Sequence, residues 1–132
     1  MLFYSSGNDQ DNKRLEASVR QVIPEKRIEL FKGLNDFKAR LRRPIEPDSI
    51  AVLSASNRED LQQLRPLRRL LPEIYVVLVI PDRRKSTLAL AHLLLPRFLS
   101  RKESDFADLK IVLHKMYINS QYSQPGELFQ GS

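Results

Sequence analysis

The sequence predicts an α/β fold in which helices cover both faces of a parallel sheet. The clearest signal is Tyr75–Ile80, a run of six consecutive apolar residues between Pro72 and Pro81. A strand with one solvated face alternates apolar and polar residues, and this run does not, so we expect both of its faces to be buried. Helical patterns lie on either side of it along the chain, which is the β-α-β-α order of a parallel sheet.

Composition indicates one ordinary globular domain. The chain has 132 residues, of which 42% are hydrophobic and 29% charged, and this is enough for a core without covalent staples. It has no cysteine, which excludes disulfides, thiolate nucleophiles and cysteine metal ligands. The net charge of +6 makes anionic partners plausible. No secretory signal and no membrane span is recognisable, so we expect a cytoplasmic protein.

The first half of the chain contains three short strand signals. An apolar start ends at Ser5, and a helix with Asp11 or Asn12 as N-cap is expected to run to Val22, before Pro24. Its apolar residues recur at helical spacing and should face the sheet. The predicted strands of this half are Leu2–Tyr4, Arg27–Lys32 and Ile50–Leu53, and a short helix covers Asn35–Leu41.

The second half repeats the alternation. A helix is expected from its N-cap Asn57 to Leu71, with Pro66 inside it as a kink or break. The other predicted elements are the strands Tyr75–Ile80 and Arg97–Ser100, a helix over Thr87–Leu95, and a last helix from Ser104 or Asp105 to Tyr117.

Residues 1–118 are therefore expected to form the domain, and residues 119–132 a flexible tail. The tail is rich in Ser, Gln, Pro and Gly, and its end, Leu128–Ser132, is similar to the remnant of a protease-cleaved tag.

Five strands alternating with five helices predict an open three-layer sandwich. Right-handed crossovers make a doubly wound, five-stranded parallel sheet the natural solution, with strand order 2-1-3-4-5. This is the flavodoxin-like arrangement.

The spacing of the motifs resembles the receiver domain of bacterial two-component response regulators. The features are Pro47-Asp48 leading into the third strand, Leu88–Pro96 leading into Phe98-Leu99, and Ser100-Arg101-Lys102 after it. The resemblance covers residues 1–118 and lies in the order and spacing of the predicted strands and helices.

The resemblance implies a phosphorylation pocket, and the residues present depart from it. Receivers carry an acidic pair after the first strand, an acceptor aspartate after the third, a Ser or Thr after the fourth and a lysine after the fifth; the carboxylates hold Mg²⁺ and the aspartate is the nucleophile. The corresponding residues here are Ser5, Ser6, Ser54, Ile80 and Lys102, with Arg101 as the alternative to Lys102. We therefore expect a degenerate receiver, or pseudo-receiver: a non-enzymatic signalling domain without a metal site or cofactor, not regulated by aspartyl phosphorylation.

The helix Thr87–Leu95 predicts an interaction face. Its leucines wrap most of the way round the helix and cannot all reach one sheet, so something should cover the outer ones. In receivers the face of the fourth helix, fifth strand and fifth helix is the usual dimer and output surface. The resemblance thus implies a homodimer or a protein partner (a kinase, a regulator or an output domain) at Leu88, Leu90, Leu94 and Arg97.

The alternative is a basic α/β domain that binds nucleic acid or a nucleotide-type ligand. Its candidate basic surface is Arg65, Arg68, Arg69, Arg83, Arg84 and Lys85, and its candidate ligand edge lies near Ser5, Ser6 and Ser54. Acidic neighbours dilute the basic clusters and no aromatic residues are interleaved with them, so a solvated helical face is the simpler interpretation.

Overall fold

The computed structural model describes residues 1–7 and 9–122. Its strands are β1 (Leu2–Ser5), β2 (Glu29–Phe31), β3 (Ile50–Ser54), β4 (Tyr75–Ile80) and β5 (Phe98–Arg101). Its helices are α1 (Gln10–Val22), α2 (Leu34–Leu41), α3 (Arg58–Leu64), α4 (Lys85–His92) and α5 (Ala107–Tyr122), and two 3₁₀ segments cover Glu25–Arg27 and Arg65–Leu70.

The five strands form one parallel sheet in the order β2-β1-β3-β4-β5, which confirms the predicted flavodoxin-like arrangement. Residues 76–80 of β4 are buried, as the unalternating run predicted. β1 pairs with both β2 and β3, and its last residue, Ser5, stands beside Ser54. The carboxyl ends of β1 and β3 therefore meet at one edge of the sheet.

The sheet separates two apolar clusters, because alternate side chains of each strand point to opposite faces. On one face, Tyr4 stacks on Phe37 of α2 with ring centroids 5.3 Å apart, and the same cluster includes residues of α3 and α4. On the other face, Phe3 and Val52 lie in a cluster with Leu15 of α1 and residues of α5. Each fully buried side chain of this size contributes about 1.5–3 kcal/mol.

The first helix begins earlier than predicted. Its N-cap is Asp9, whose side chain accepts a hydrogen bond of 2.8 Å from the backbone N–H of Asn12. The choice of Asp11 or Asn12 as N-cap was therefore wrong. Asn12 is instead 3% exposed and lies over the sheet, which gives it a different role.

Pro66 breaks the third helix as predicted. The α-helix ends at Leu64, and a 3₁₀ segment with Pro66 in its first turn continues to Leu70. Pro66 has no N–H to donate, so the regular α-helical hydrogen bonds cannot continue through it.

The last two helices differ from prediction at their ends. α4 covers Lys85–His92 and does not reach Leu95, and β5 is shifted by one residue to Phe98–Arg101. α5 begins at Ala107 and continues to Tyr122, beyond the predicted end at Tyr117 and into the predicted tail. The suspected tag remnant lies outside the described residues.

Three non-glycine residues with positive φ gather at the amino edge of the sheet. They are Asp48 (φ 65°), Glu73 (φ 62°) and Leu95 (φ 50°), in the segments that lead into β3, β4 and β5. The left-handed conformation costs about 1–2 kcal/mol for an ordinary L-residue. Asp48 and Glu73 are joined by a backbone hydrogen bond of 3.2 Å.

Candidate functional site

Two neighbouring serines occupy the carboxyl ends of β1 and β3. Ser5 and Ser54 are 0% and 1% exposed, and they stand opposite each other in the parallel register. Phe3 and Val52, two residues earlier on the same strands, face α1 and α5. Because strand side chains repeat every second residue, both serines point to that same face.

Asn12 of α1 covers these serines. The Ser54 hydroxyl donates to Asn12 Oδ1 at 2.8 Å, and Asn12 Nδ2 donates to the Ser56 hydroxyl at 3.3 Å. Ser5 Oγ has no hydrogen-bond partner within the described part of the chain. The site therefore contains one satisfied buried hydroxyl and one unsatisfied one, side by side.

The site also contains a carboxylate from α3, that of Asp60. Asp60 Oδ2 accepts from the Ser6 hydroxyl at 2.7 Å and from the backbone N–H of Ser56 at 3.0 Å. The Ser6 and Ser56 hydroxyls are 3.5 Å apart. Burial, and then the charge of Asp60, raises the pKa of the Tyr4 phenol.

Lys102 closes the site from the β5 side. Its ammonium group donates to the carbonyl oxygen of Ser56 at 3.3 Å, across the carboxyl edge of the sheet. Four of the five predicted pocket residues thus form a connected group: Ser5 and Ser54 are neighbours, and Ser6 and Lys102 both reach Ser56. Ile80 is different, because its side chain packs into the cluster that faces α2, α3 and α4.

Arg14 of α1 fixes the segment that carries Lys102. Its guanidinium donates to the carbonyl oxygens of Lys102 at 3.1 Å and Ser104 at 2.9 Å. The same group lies 5.2 Å from the ring centroid of Phe106. Charge-assisted hydrogen bonds are stronger than neutral ones, so Arg14 holds the β5–α5 connection against the first helix.

Sequence reasoning missed Arg14, Asn12, Ser56 and Asp60 as members of this site. The only signal for one of them was the spacing Asn57-x-x-Asp60, since the Asn57 side chain caps α3 by accepting from the Asp60 N–H at 2.9 Å. That signal marks a helix start and carries no information about the serines.

The nucleotide-type ligand of the alternative, near Ser5 and Ser6, would place a phosphate at the start of α1, where two features oppose it. The Asp9 carboxylate accepts a hydrogen bond from the backbone N–H of Asn12, so this N–H of the first turn is not available to a phosphate. A Cβ on Gly7 would lie 2.7 Å from Asn12 Nδ2, so this glycine allows a close approach of the loop to Asn12. Asn8 lies outside the described residues. Among those described, no group of three His, Cys, Asp or Glu residues could hold a metal ion.

The predicted interaction face is partly wrong in its membership. Leu94 is fully buried and belongs to the core, while Leu88 and Leu90 are half-buried against it. The exposed leucines of this segment are Leu93 and Leu95, at 48% and 65%. Leu94 follows the buried Thr87 and Ala91 at i, i+4 and i+7, so it continues the side of α4 that faces the core.

A groove of ≈ 630 Å³ lies beside this face, between α4, β5 and α5. Its lining includes Leu88, Leu99, Arg101, Asp105 and Asp108, so apolar side chains and both signs of charge line it. Arg97, predicted as part of the face, is exposed and lies with its guanidinium 4.6 Å from the centre of the Tyr75 ring.

The predicted basic surface is divided between two ends of the domain. Arg65, Arg68 and Arg69 lie on the 3₁₀ segment that leads to the amino end of β4, whereas Arg83, Arg84 and Lys85 follow its carboxyl end. Arg68 also donates to the carbonyl oxygen of Leu71 at 2.9 Å. A strand of this length spans about 20 Å, so the two groups do not form one continuous patch.

The comparisons with known proteins found no match. No family model, no curated protein and no solved structure matches the chain. Within residues 1–7 and 9–122, none of the helices has the length and apolar content needed to cross a membrane.

Proposed function

We propose that this chain is a receiver-like signalling domain that has lost aspartyl phosphorylation and works by binding other proteins. The observation that carries the proposal is the contact between Lys102 Nζ and the carbonyl oxygen of Ser56, at 3.3 Å. It places a lysine that follows β5 against the segment that follows β3. This is where the resemblance to response-regulator receivers puts the phosphoryl group and the lysine that binds it.

The chemistry at this edge is that of hydrogen-bonded serines with one carboxylate, Asp60, and one ammonium group, Lys102. Ser5, Ser6 and Ser54 replace the carboxylates that would hold Mg²⁺ and accept phosphate. Ser54 is buried and donates to Asn12, so its hydroxyl is unavailable to a phosphodonor. Lys102 is occupied by a backbone oxygen. We therefore assign these residues a structural role: they keep the carboxyl edge of the sheet in a fixed arrangement.

Incubation with acetyl phosphate and Mg²⁺, read by intact mass, tests the loss of phosphorylation. We expect no added phosphate on this chain, whereas an authentic response-regulator receiver in the same reaction gains a base-labile one. A base-labile phosphate on the wild-type chain, mapped to any aspartate, would refute the proposal.

The partner-binding face is proposed on the α4 side of the domain. It consists of the groove between α4, β5 and α5 at the carboxyl edge of the sheet and of the exposed Leu93 and Leu95 towards the amino edge. Exposed apolar side chains are typical of protein contacts. Sedimentation equilibrium over a range of concentrations tests whether a second copy binds here. A homodimer through this face should have a larger dissociation constant in Leu93→Glu, which would then dissociate at a higher concentration than wild type, with Lys26→Glu as a control far from it. A dimer unaffected by Leu93→Glu would remove this face from the proposal.

A further inference from the structure

The last helix carries apolar side chains on both of its faces. Leu109 and Leu113 are fully buried against the sheet, yet Ile111 is 56% and Ile118 36% exposed on the side away from it. A helix on the surface of a globular domain normally presents polar residues outward. The outer face of α5 is therefore unusual for a surface that meets only water.

Ile111 lies in a groove between α5 and the end of α1. This α1–α5 groove has a volume of ≈ 430 Å³, and its lining includes Gln21 and Val22 from α1 and Ala107, Lys110 and Ile111 from α5. Lys110 Nζ donates to Gln21 Oε1 at 3.0 Å, which links the two helices along the groove. The floor is apolar and concave.

The rim of the α1–α5 groove is cationic. Lys110 and Lys115 contribute ammonium groups to its lining, and no carboxylate does. Neither lysine takes part in the ion pairs of the described residues. Within that part of the chain, both ammonium groups are therefore open to an anionic partner.

We propose that the α1–α5 groove binds an acidic amphipathic helix of another protein. Ile111 and Ile118 are seven residues apart, which is two helical turns or about 10.5 Å. An amphipathic helix presents apolar side chains with the same spacing, and carboxylates on its flanks would pair with the cationic rim.

The charges and the shape argue against other occupants. A second copy of this chain, joined through the same surface, would bring lysines against lysines. A lipid surface favours a protruding amphipathic helix, whereas this site is a groove that a ridge of side chains can enter. The inference uses only the α1–α5 groove, so it stands apart from the proposed function at the carboxyl edge.

The test uses a synthetic helical peptide as probe. It carries leucines at i, i+3, i+4 and i+7 and glutamates on both flanks, and a second peptide carries lysines in place of the glutamates. With ¹⁵N-labelled protein, we expect the acidic peptide to shift the amide signals of Val22, Lys110, Ile111 and Lys115, and the basic peptide to shift none. Vesicles of phosphatidylglycerol and phosphatidylcholine are titrated in parallel.

Two variants make the test specific to the groove. Ile111→Asp and Lys115→Glu should each weaken the acidic peptide about tenfold, which corresponds to 1.4 kcal/mol. Leu30→Asp and Lys26→Glu make the same kinds of change at exposed positions elsewhere and should leave affinity unchanged. Ile111 is largely exposed, so Ile111→Asp should have the melting temperature of wild type. If its melting temperature is lower, the affinity of Lys115→Glu alone tests the groove.

Several outcomes would overturn the inference. They are absence of binding, shifts that map to another surface, equal weakening by the control variants, and binding to the vesicles without binding to the peptide. A wild-type dimer that Ile111→Asp converts to monomer would instead assign the groove to a second copy.

Discussion

The ammonium group of Lys102 lies 3.3 Å from the carbonyl oxygen of Ser56 and joins the end of β5 to the segment after β3. We expect Lys102→Met, which keeps the aliphatic stem, to lower the free energy of unfolding by about 1 kcal/mol, since a hydrogen bond to a charged donor is lost. Urea unfolding measures the change. Lys26→Met, at an exposed lysine of a 3₁₀ segment, should have almost no effect. Equal stability of the two variants would show that the contact contributes nothing.

Ser54 and Ser5 offer a matched pair of buried hydroxyls. Ser54→Ala leaves Asn12 Oδ1 without its donor, so we expect a loss of about 1–3 kcal/mol in the free energy of unfolding. Ser5→Ala removes a hydroxyl that has no partner in the described part of the chain, and it should be neutral or stabilising. The two residues share a face and a degree of burial, so chemical denaturation of both variants isolates the hydrogen bond. A larger loss in Ser5→Ala would contradict the assigned network.

Glu73 has a φ of 62°, which glycine adopts without steric cost. Relief of about 1–2 kcal/mol of strain, less about 0.5–1 kcal/mol for the greater freedom of glycine when unfolded, predicts that Glu73→Gly stabilises the fold by about 0.5–1 kcal/mol. Gln62→Gly, at an exposed position within α3, should destabilise it by about the same amount. Thermal unfolding should move the two melting temperatures in opposite directions, and a shift in the same direction would argue against strain at Glu73.

Tyr4 should ionise above the ordinary tyrosine pKa of 10.0, because burial and the Asp60 carboxylate both disfavour the phenolate and raise the pKa of Tyr4. A raised pKa in the folded state means that the neutral phenol stabilises the fold below pH 10 and that this contribution is lost as the pH rises through the folded value. The difference between the tyrosinate absorbance of wild type and of Tyr4→Phe gives the titration directly. A midpoint at or below 10 would contradict the raised pKa of Tyr4. Asp60→Asn should bring the midpoint down.

The fold was accessible from the sequence because burial on two faces leaves a strong pattern. The unalternating run Tyr75–Ile80 and the helical spacing on either side of it indicated a parallel α/β sheet, and the right-handed crossover rule then favoured the order 2-1-3-4-5. Pro66 likewise has only one effect inside a helix, since it lacks an N–H. These features are local in the chain and nearly independent of what surrounds them.

The site was only partly accessible, because its hydrogen bonds join residues far apart in the chain. The rule that carboxyl ends of parallel strands meet at one edge was enough to place Ser5 near Ser54. No local pattern indicated that Asp9, and not Asn12, would cap the first helix, or that Asn12 would accept from Ser54. The bond from Ser6 to Asp60 had no local signal either. Leu94 was misplaced for another reason: it lies on the same side as the buried Thr87 and Ala91, but leucines occur on most sides of this helix, so the pattern did not identify the buried one.

The hydrogen bonds between Arg14 and the β5–α5 connection also bear on how the chain folds. The two ends of that contact, Arg14 and Ser104, are 90 residues apart. The sheet face that bears Phe3 and Val52 is covered by α5, which follows every other element described. During synthesis from the amino terminus, α1 alone would shield that face until α5 emerges. Folding intermediates should therefore expose this side of the sheet, and chaperones would meet the nascent chain there.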